Sequence, residues 1–254
     1  MNNLNTPVSR IDYVKSLELA GTHTVNKELA AQTVAFDESN DTAKVVDGST
    51  VSFLGSVPKS KQQDVLNSTL LAQLAANKLY DRESDTEQWY AKYKEVLENI
   101  GWIIQDFSFQ RQSDSGSSIR LDKVALNVFA AAVSGNELAI LTATLDALEN
   151  ANSDSKEVTL FEGGASTGEN GNFQLGTCSL DNNTNVQMSL GACYFKAEEH
   201  KKRFLFITWS TKSINIYMGI QNVLLNEQIY ATVRQTIIEK LGDKAQTYVA
   251  DLDI

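Results

Sequence analysis

Hydrophobic positions recur along the chain with two periods, and the boundary between them divides the sequence. After Pro58, Leu66, Leu70 and Leu74 fall every four residues, which puts them on one face of a helix. Trp89, Tyr93, Val96, Leu97 and Ile100 form a second such stripe, which Gly101 ends as a left-handed helix cap. Ser84-Asp85-Thr86-Glu87 in front of it has the spacing of a capping box. Two further stripes, Leu121, Val124, Ala125 and Val128, then Leu138, Leu141, Leu145 and Leu148, are joined at Gly135-Asn136. So short a link predicts an antiparallel helical hairpin near 119–151, with its first helix ending at Gly135.

Period-two and β-branched runs take over from Lys156. Val158 to Phe161, Phe173 to Leu180, Val186 to Phe195, Phe204 to Ser210 and Ile214 to Met218 predict five short strands. Their short connections favour an antiparallel meander. Asn226 then caps a helix carrying Ile229, Val233, Ile237 and Leu241, followed by Gly242 and a turn reaching Tyr248. The first 55 residues are less regular. Thr6-Pro7 opens a helix bearing Ile11, Val14 and Leu17, ending near Gly21. Val34 and Phe36, Val45-Val46, and Val51 with Phe53 look extended, and Asp47-Gly48 marks a hairpin. Trp102 to Phe109 predicts another strand.

Helix-rich 58–151, strand-rich 157–219 and helical 227–250 add up to an α+β fold, with helices packed on one or both faces of an antiparallel sheet. The early strands need partners that the later ones supply, so residues 1–254 are expected to form one domain; a division near Asn152 to Lys156 is the alternative.

Composition narrows the function. Asp and Glu outnumber Lys and Arg by 32 to 22, and the net charge of −10 argues against nucleic acid and anionic membrane surfaces. Lys196 to Arg203 is the one basic candidate patch, and it reads more simply as a solvated turn between strands. No apolar run approaches the roughly 20 residues of a membrane span, and the N-terminus lacks the basic and apolar regions of a signal peptide. These features lead to the expectation of a cytoplasmic protein, or one exported without a cleaved signal.

Candidate chemistry is sparse. Gly164-Ala165-Ser166-Thr167-Gly168 matches the G-x-S-x-G of a hydrolase elbow, and Asp181 and His200 follow in the chain order of a triad. The elbow needs a strand before the serine and a helix after it, whereas Glu169-Asn170-Gly171-Asn172 leads into a strand. A glycine-rich hairpin loop explains the same residues. The loop also lacks the lysine of a phosphate-binding loop. Cys178 and Cys193 flank the turn Asp181 to Asn185 out of register, with Cys178 facing Gln187 or Met188, so both are expected as buried free thiols. His23 and His200 are the only histidines and are not at ligand spacing, so no metal or cofactor is expected. Asp37, Glu38 and Asp41 could face calcium but read as a solvated turn. Trp89, Trp102 and Trp209 are core positions, and Tyr217, Tyr230 and Tyr248 are candidates for partial exposure.

Three functional readings follow, in this order. The first is a non-enzymatic binding or interaction protein, acting through a protein or lipid surface. The second is a membrane-active protein, because the 119–151 hairpin is rich in Ala and Leu and its first helix is almost charge-free. Its layout is similar to that of pore-forming cytolysins of the Cyt type, which place helical hairpins over a sheet and move them on meeting lipid. That likeness of layout implies a mobile hairpin. The third is a serine hydrolase built on Ser166, Asp181 and His200.

Overall fold

The computed structural model describes residues 6–21, 40–113 and 116–254. The expected extended run at Val34 and Phe36, His23, and the acidic pair Asp37 and Glu38 lie outside the described residues.

Thr6 caps the opening helix α1 (Pro7–Ser16), whose first residue is proline as expected. Strands β1 (Thr42–Val46) and β2 (Ser49–Phe53) form the hairpin, with Asp47 at φ 48° in the turn. Helices α2 (Lys59–Leu79) and α3 (Thr86–Asn99) follow, then short strands β3 (Trp102–Ile103), β4 (Gln110–Gln112) and β5 (Ser118–Ile119). Next come helices α4 (Leu121–Ala130), α5 (Gly135–Asn150) and α6 (Lys156–Ala165). Three sheet strands, β6 (Asn170–Leu180), β7 (Val186–Ala197) and β9 (Ile214–Leu225), are the longest of the described residues, with the short β8 (Trp209–Ser210) between the last two. The chain closes through α7 (Glu227–Leu241), α8 (Lys244–Tyr248) and β10 (Val249–Leu252).

The fold is α+β. The large sheet runs β10-β1-β2-β6-β7-β9-β3, with β4 also on β9. Its strands pair antiparallel except β2 with β6, which are parallel. Side-chain alternation assigns its faces. Ser49 and Gln174 share one face and meet Gln73 of α2 and Tyr90 of α3. On the other face Phe173 meets Phe161 of α6, Ser52 meets Thr144 of α5, and a methyl at Gly191 would strike Phe129 of α4. Helices therefore cover both faces.

Helix α2 is buried without a break from Asp64 to Ala76, because sheet, α3 and α7 surround it. Its polar groups are satisfied inside: Ser68 Oγ donates to Asp64 O at 2.7 Å, and Arg234 of α7 grips the Asp64 carboxylate with two nitrogens.

Several expectations change. Val158 to Phe161 lies in helix α6, which Ser155 caps, so the strand-rich region opens at Asn170 rather than 157. Phe204 to Ser210 is mostly turn, and Trp102 to Phe109 keeps only two strand residues. Gly135 opens α5 instead of ending α4; the box there is Ser134 with Glu137. No box forms before α3, since Ser84 donates to Asp81 and the cap residue Asp85 makes no side-chain cap bond. Gly101 does close α3 with φ 111°. Tyr230 and Tyr248 are fully buried, and the C-terminal segment ends in a strand, β10, paired with β1.

Candidate functional site

The G-x-S-x-G residues sit on the turn from α6 into β6, so a helix precedes the serine and a strand follows it. Ser166 terminates α6 and is buried; its Oγ donates to Asn170 O at 2.6 Å and lies 3.3 Å from Gly168 O. His200 Nδ1 lies 2.6 Å from the same Gly168 carbonyl, a bond that requires the proton on Nδ1. Glu83 clamps the loop from the other side, accepting from Thr167 N and Oγ1. Asp181 stands past the far end of the 11-residue β6. At about 3.3 Å per residue that is roughly 35 Å from Ser166. There Asp181 accepts from Asn183 N and Asn185 N at 2.8 Å. The fold thus brings Ser166 and His200 to one loop and leaves Asp181 at the opposite edge.

Cys178 pairs across the strands with Met188, and Cys193 with Phe173. Both thiols are buried, and burial pushes them far above the usual thiol range. Asp41, the described member of the acidic cluster, accepts from Gly55 N. In the Lys196 to Arg203 segment, Lys201 pairs with Glu199 and Arg203 turns inward.

A polar network fastens the β1–β2 turn. Arg82 is buried, with Nη1 3.4 Å from Asp47 Oδ2, Nη2 2.8 Å from Gln174 Oε1, and its guanidinium 4.5 Å above the Trp89 ring. Burial lowers the Arg82 pKa while Asp47 draws it back up. Gly48 and Gly164 close the other side of this turn. A methyl on either would lie 2.5 Å or less from the other's backbone, so neither site admits a larger residue.

The seat of α5 departs furthest from ordinary core packing. Ser52, Thr177, Ser189 and Asn222 stand side by side across β2, β6, β7 and β9, one polar row crossing four strands; the first three are buried under the helices and Asn222 ends the row at the exposed margin. Thr50 and Ser179 lie on the same face, one pleat to either side. Ser52 Oγ and Thr144 Oγ1 of α5 are 2.7 Å apart, Ser179 Oγ donates to Glu137 Oε1 at 3.2 Å, and Ser189 Oγ donates to Asn222 Oδ1 at 2.8 Å. The buried hydroxyls of Thr50 and Thr177 have no hydrogen-bond partner among the described residues. Each such group costs about 1–3 kcal/mol of desolvation. Toward the opposite end the same face turns apolar, with Phe173, Leu175, Cys193, Phe195, Ile216 and Met218.

Above this seat, α4 and α5 pack on each other through the short link 131–134. Ile140, Leu141, Leu145 and Leu148 of α5 point inward, while Ala130, Ala131, Ala132, Ala139 and Ala143 are exposed and Val124, Leu126 and Val128 half-buried. From Val124 to Leu145 the only charged residue is Glu137. Among the described residues, ion pairs of the helix pair gather at its base: Arg120 with Asp122 and Glu149, and Lys123 with Asp122. Arg203 Nη2 donates to the carbonyls of Leu148 and Glu149 at the end of α5, and its backbone N donates to Glu162 Oε1. Burial raises the Glu162 pKa against the opposing pull of Arg203.

No family model matches the chain, and no curated protein matches it. Among solved structures, the chain is similar to one described as the structure of the Evf virulence factor, at 14% identity over 83% of this chain and 84% of that one, with a TM-score of 0.31. It is also similar to one described as a delta-endotoxin, at 11% identity over 81% and 91% of the two chains, with a TM-score of 0.38.

Proposed function

We propose that the protein is a non-enzymatic binder of lipid surfaces, which lifts the α4–α5 pair off the polar half of its sheet and lays it into a membrane interface. The buried polar positions Ser52, Thr177 and Ser189 beneath the α4–α5 pair carry the reading. A helix held only as core would seat its apolar side on apolar sheet residues. Here release lets water reach the unpartnered hydroxyls of Thr50 and Thr177, while Ile140, Leu141, Leu145 and Leu148 exchange the sheet for acyl chains. That exchange is close to neutral for the apolar side chains and favourable for the hydroxyls.

The helices are too short to span. At 1.5 Å per residue, α4 and α5 are roughly 15 and 24 Å long against a hydrocarbon core of about 30 Å. Among the described residues no helix is long and apolar enough to cross a membrane. The pair would therefore lie in the interface, its charged base at the headgroups and its Ala-rich end among the acyl chains. With a net charge of −10, the chain should prefer zwitterionic to anionic surfaces.

Co-sedimentation and dye release with phosphatidylcholine vesicles test this. Binding is expected, weakened by added phosphatidylserine. Ala131→Asp with Ala132→Asp alters only exposed positions at the C-terminal end of α4, costs about 1 kcal/mol of thermal stability through the helix dipole, and should abolish binding. Absence of binding by the unaltered protein, or equal binding by the double variant, would refute the proposal.

A further inference from the structure

We infer that α5 opens from its N-terminal end and pivots on its C-terminal end, which Arg203 holds on the body of the protein; the inference rests on the lipid-binding reading above. The two ends of the helix are fastened by different means. At the N-terminal end, the link to the sheet is the bond from Ser179 Oγ to Glu137, 3.2 Å long. Glu137 also serves the helix itself, accepting from Ser134 N and Oγ. Its carboxylate therefore remains hydrogen-bonded after the sheet contact breaks, and the capping box travels with the helix. Two turns further along, Thr144 meets Ser52 in the polar row.

The C-terminal end is anchored several times over. Arg203 donates to the last carbonyls of α5, the orphan acceptors of a helix end, where a cation is also favoured by the helix dipole. The same residue is tied to α6 through Glu162. Arg120 binds Asp122 with two nitrogens and Glu149 with one of them, joining the start of α4 to the end of α5. The backbone N of Asp122 donates to Leu205 O, beside Arg203 in the same turn. At the tip one 3.2 Å hydrogen bond, the latch, and the buried Phe129 ring meet the sheet, while a charged, multiply bonded anchor holds the base, and the difference makes a hinge. Opening at the tip uncovers the polar row first and leaves the apolar end of the sheet face covered.

Spin-label distances in the full chain test the hinge. One pair, Asn136→Cys with Asn183→Cys, reports the N-terminal end of α5 against the β6–β7 turn. The second, Asn150→Cys with Lys202→Cys, reports the C-terminal end. All four positions are exposed, and the native cysteines are buried away from the label. On phosphatidylcholine vesicles the first distance should lengthen by on the order of 10 Å, the sweep of a roughly 24 Å helix turning by about 30°, while the second stays within a few ångström. Ser179→Ala, which leaves the capping box intact, should reach half-maximal binding at about three- to tenfold less lipid. If bound protein lengthens both distances equally, or only the second, the hinge is refuted and lipid binding stands. Unchanged binding by Ser179→Ala also refutes the latch. If the protein does not sediment with vesicles, or binds with neither distance changed, both proposals fall.

Discussion

Ser52 of β2 and Thr144 of α5 meet with their hydroxyl oxygens 2.7 Å apart in the buried interface between sheet and helix. Thr144 Oγ1 also donates to Ile140 O within its own helix at 2.8 Å, so the proton between the two hydroxyls comes from Ser52. Beside this bond Ser52 pairs across the strands with Thr177, whose hydroxyl has no partner. A satisfied and an unsatisfied hydroxyl thus sit side by side under one helix, and the strength of the seat can be tuned in either direction by small substitutions.

Thr177→Val and Thr50→Val remove hydroxyls that are buried and unpartnered. Each should stabilise the protein by about 1 kcal/mol in urea denaturation, and together they should reduce lipid binding by holding α5 down. Destabilisation by either would mean that its hydroxyl is satisfied in solution.

Gly191→Ala acts in the opposite sense. Its new methyl would lie 2.4 Å from Phe129 Cε2, part of a fully buried ring of α4. Overpacking of this kind costs about 1–3 kcal/mol. Thermal stability should fall while vesicle binding rises, because the strain is relieved by lifting α4. A fall in both would show that the wedge unfolds the body rather than freeing the helix pair.

Arg82→Ala would leave Asp47 buried without its cation and empty a place between Gln174 and Trp89. The expected loss is about 3–5 kcal/mol by urea denaturation. A loss under about 1 kcal/mol would mean that Asp47 is readily hydrated.

Acid should act differently on two carboxyls. Burial raises the Glu162 pKa, so its contribution is fully present below the ordinary glutamate value and is lost as pH rises through the folded-state value. Wild type should therefore gain stability relative to Glu162→Gln as pH falls from 7 toward 4.5. The hydrogen bonds of Asp81 from Ser84 and Glu83 lower its pKa. Its contribution is present above the ordinary aspartate value and is lost as pH falls through the folded one, so the advantage of wild type over Asp81→Asn should shrink below about pH 4. Stability curves against pH with either slope reversed would contradict these assignments.

Much of the fold was legible because local signals and burial agree. Leu66, Leu70 and Leu74, the Trp89 to Ile100 stripe with Gly101, and the Asp47-Gly48 turn all lie in the expected elements. Val158 to Phe161 misled because a short apolar run suits a buried strand and a buried helix alike; the cap at Ser155, three residues before Val158, was the distinguishing signal. The α2 stripe was visible, but not that polar neighbours such as Gln73 are buried as deeply, since α3 and α7 close over them from distant parts of the chain. The parallel pairing of β2 with β6 also joins residues more than 100 positions apart.

The seat of α5 was illegible for the same reason. Ser52, Thr144, Thr177 and Ser189 are each unremarked residues of a strand or helix, and only pairing places them together. What was visible beforehand was the Ala- and Leu-rich hairpin at 119–151 with its almost charge-free first helix. Ser166 and His200, by contrast, stood out in the sequence and are held in place by backbone carbonyls.

A reversible staple across the seat gives the most direct measurement: vesicle binding by Ser52→Cys with Thr144→Cys, oxidised and then reduced. The two oxygens already lie 2.7 Å apart, and Cys178 and Cys193 are buried with thiols held protonated, so they do not compete for the bond. Oxidised protein should fail to bind phosphatidylcholine vesicles or release their contents, and reduction should restore both. Equal binding in the two states would show that α5 never leaves the sheet, and that lipid, if bound, is bound by another surface.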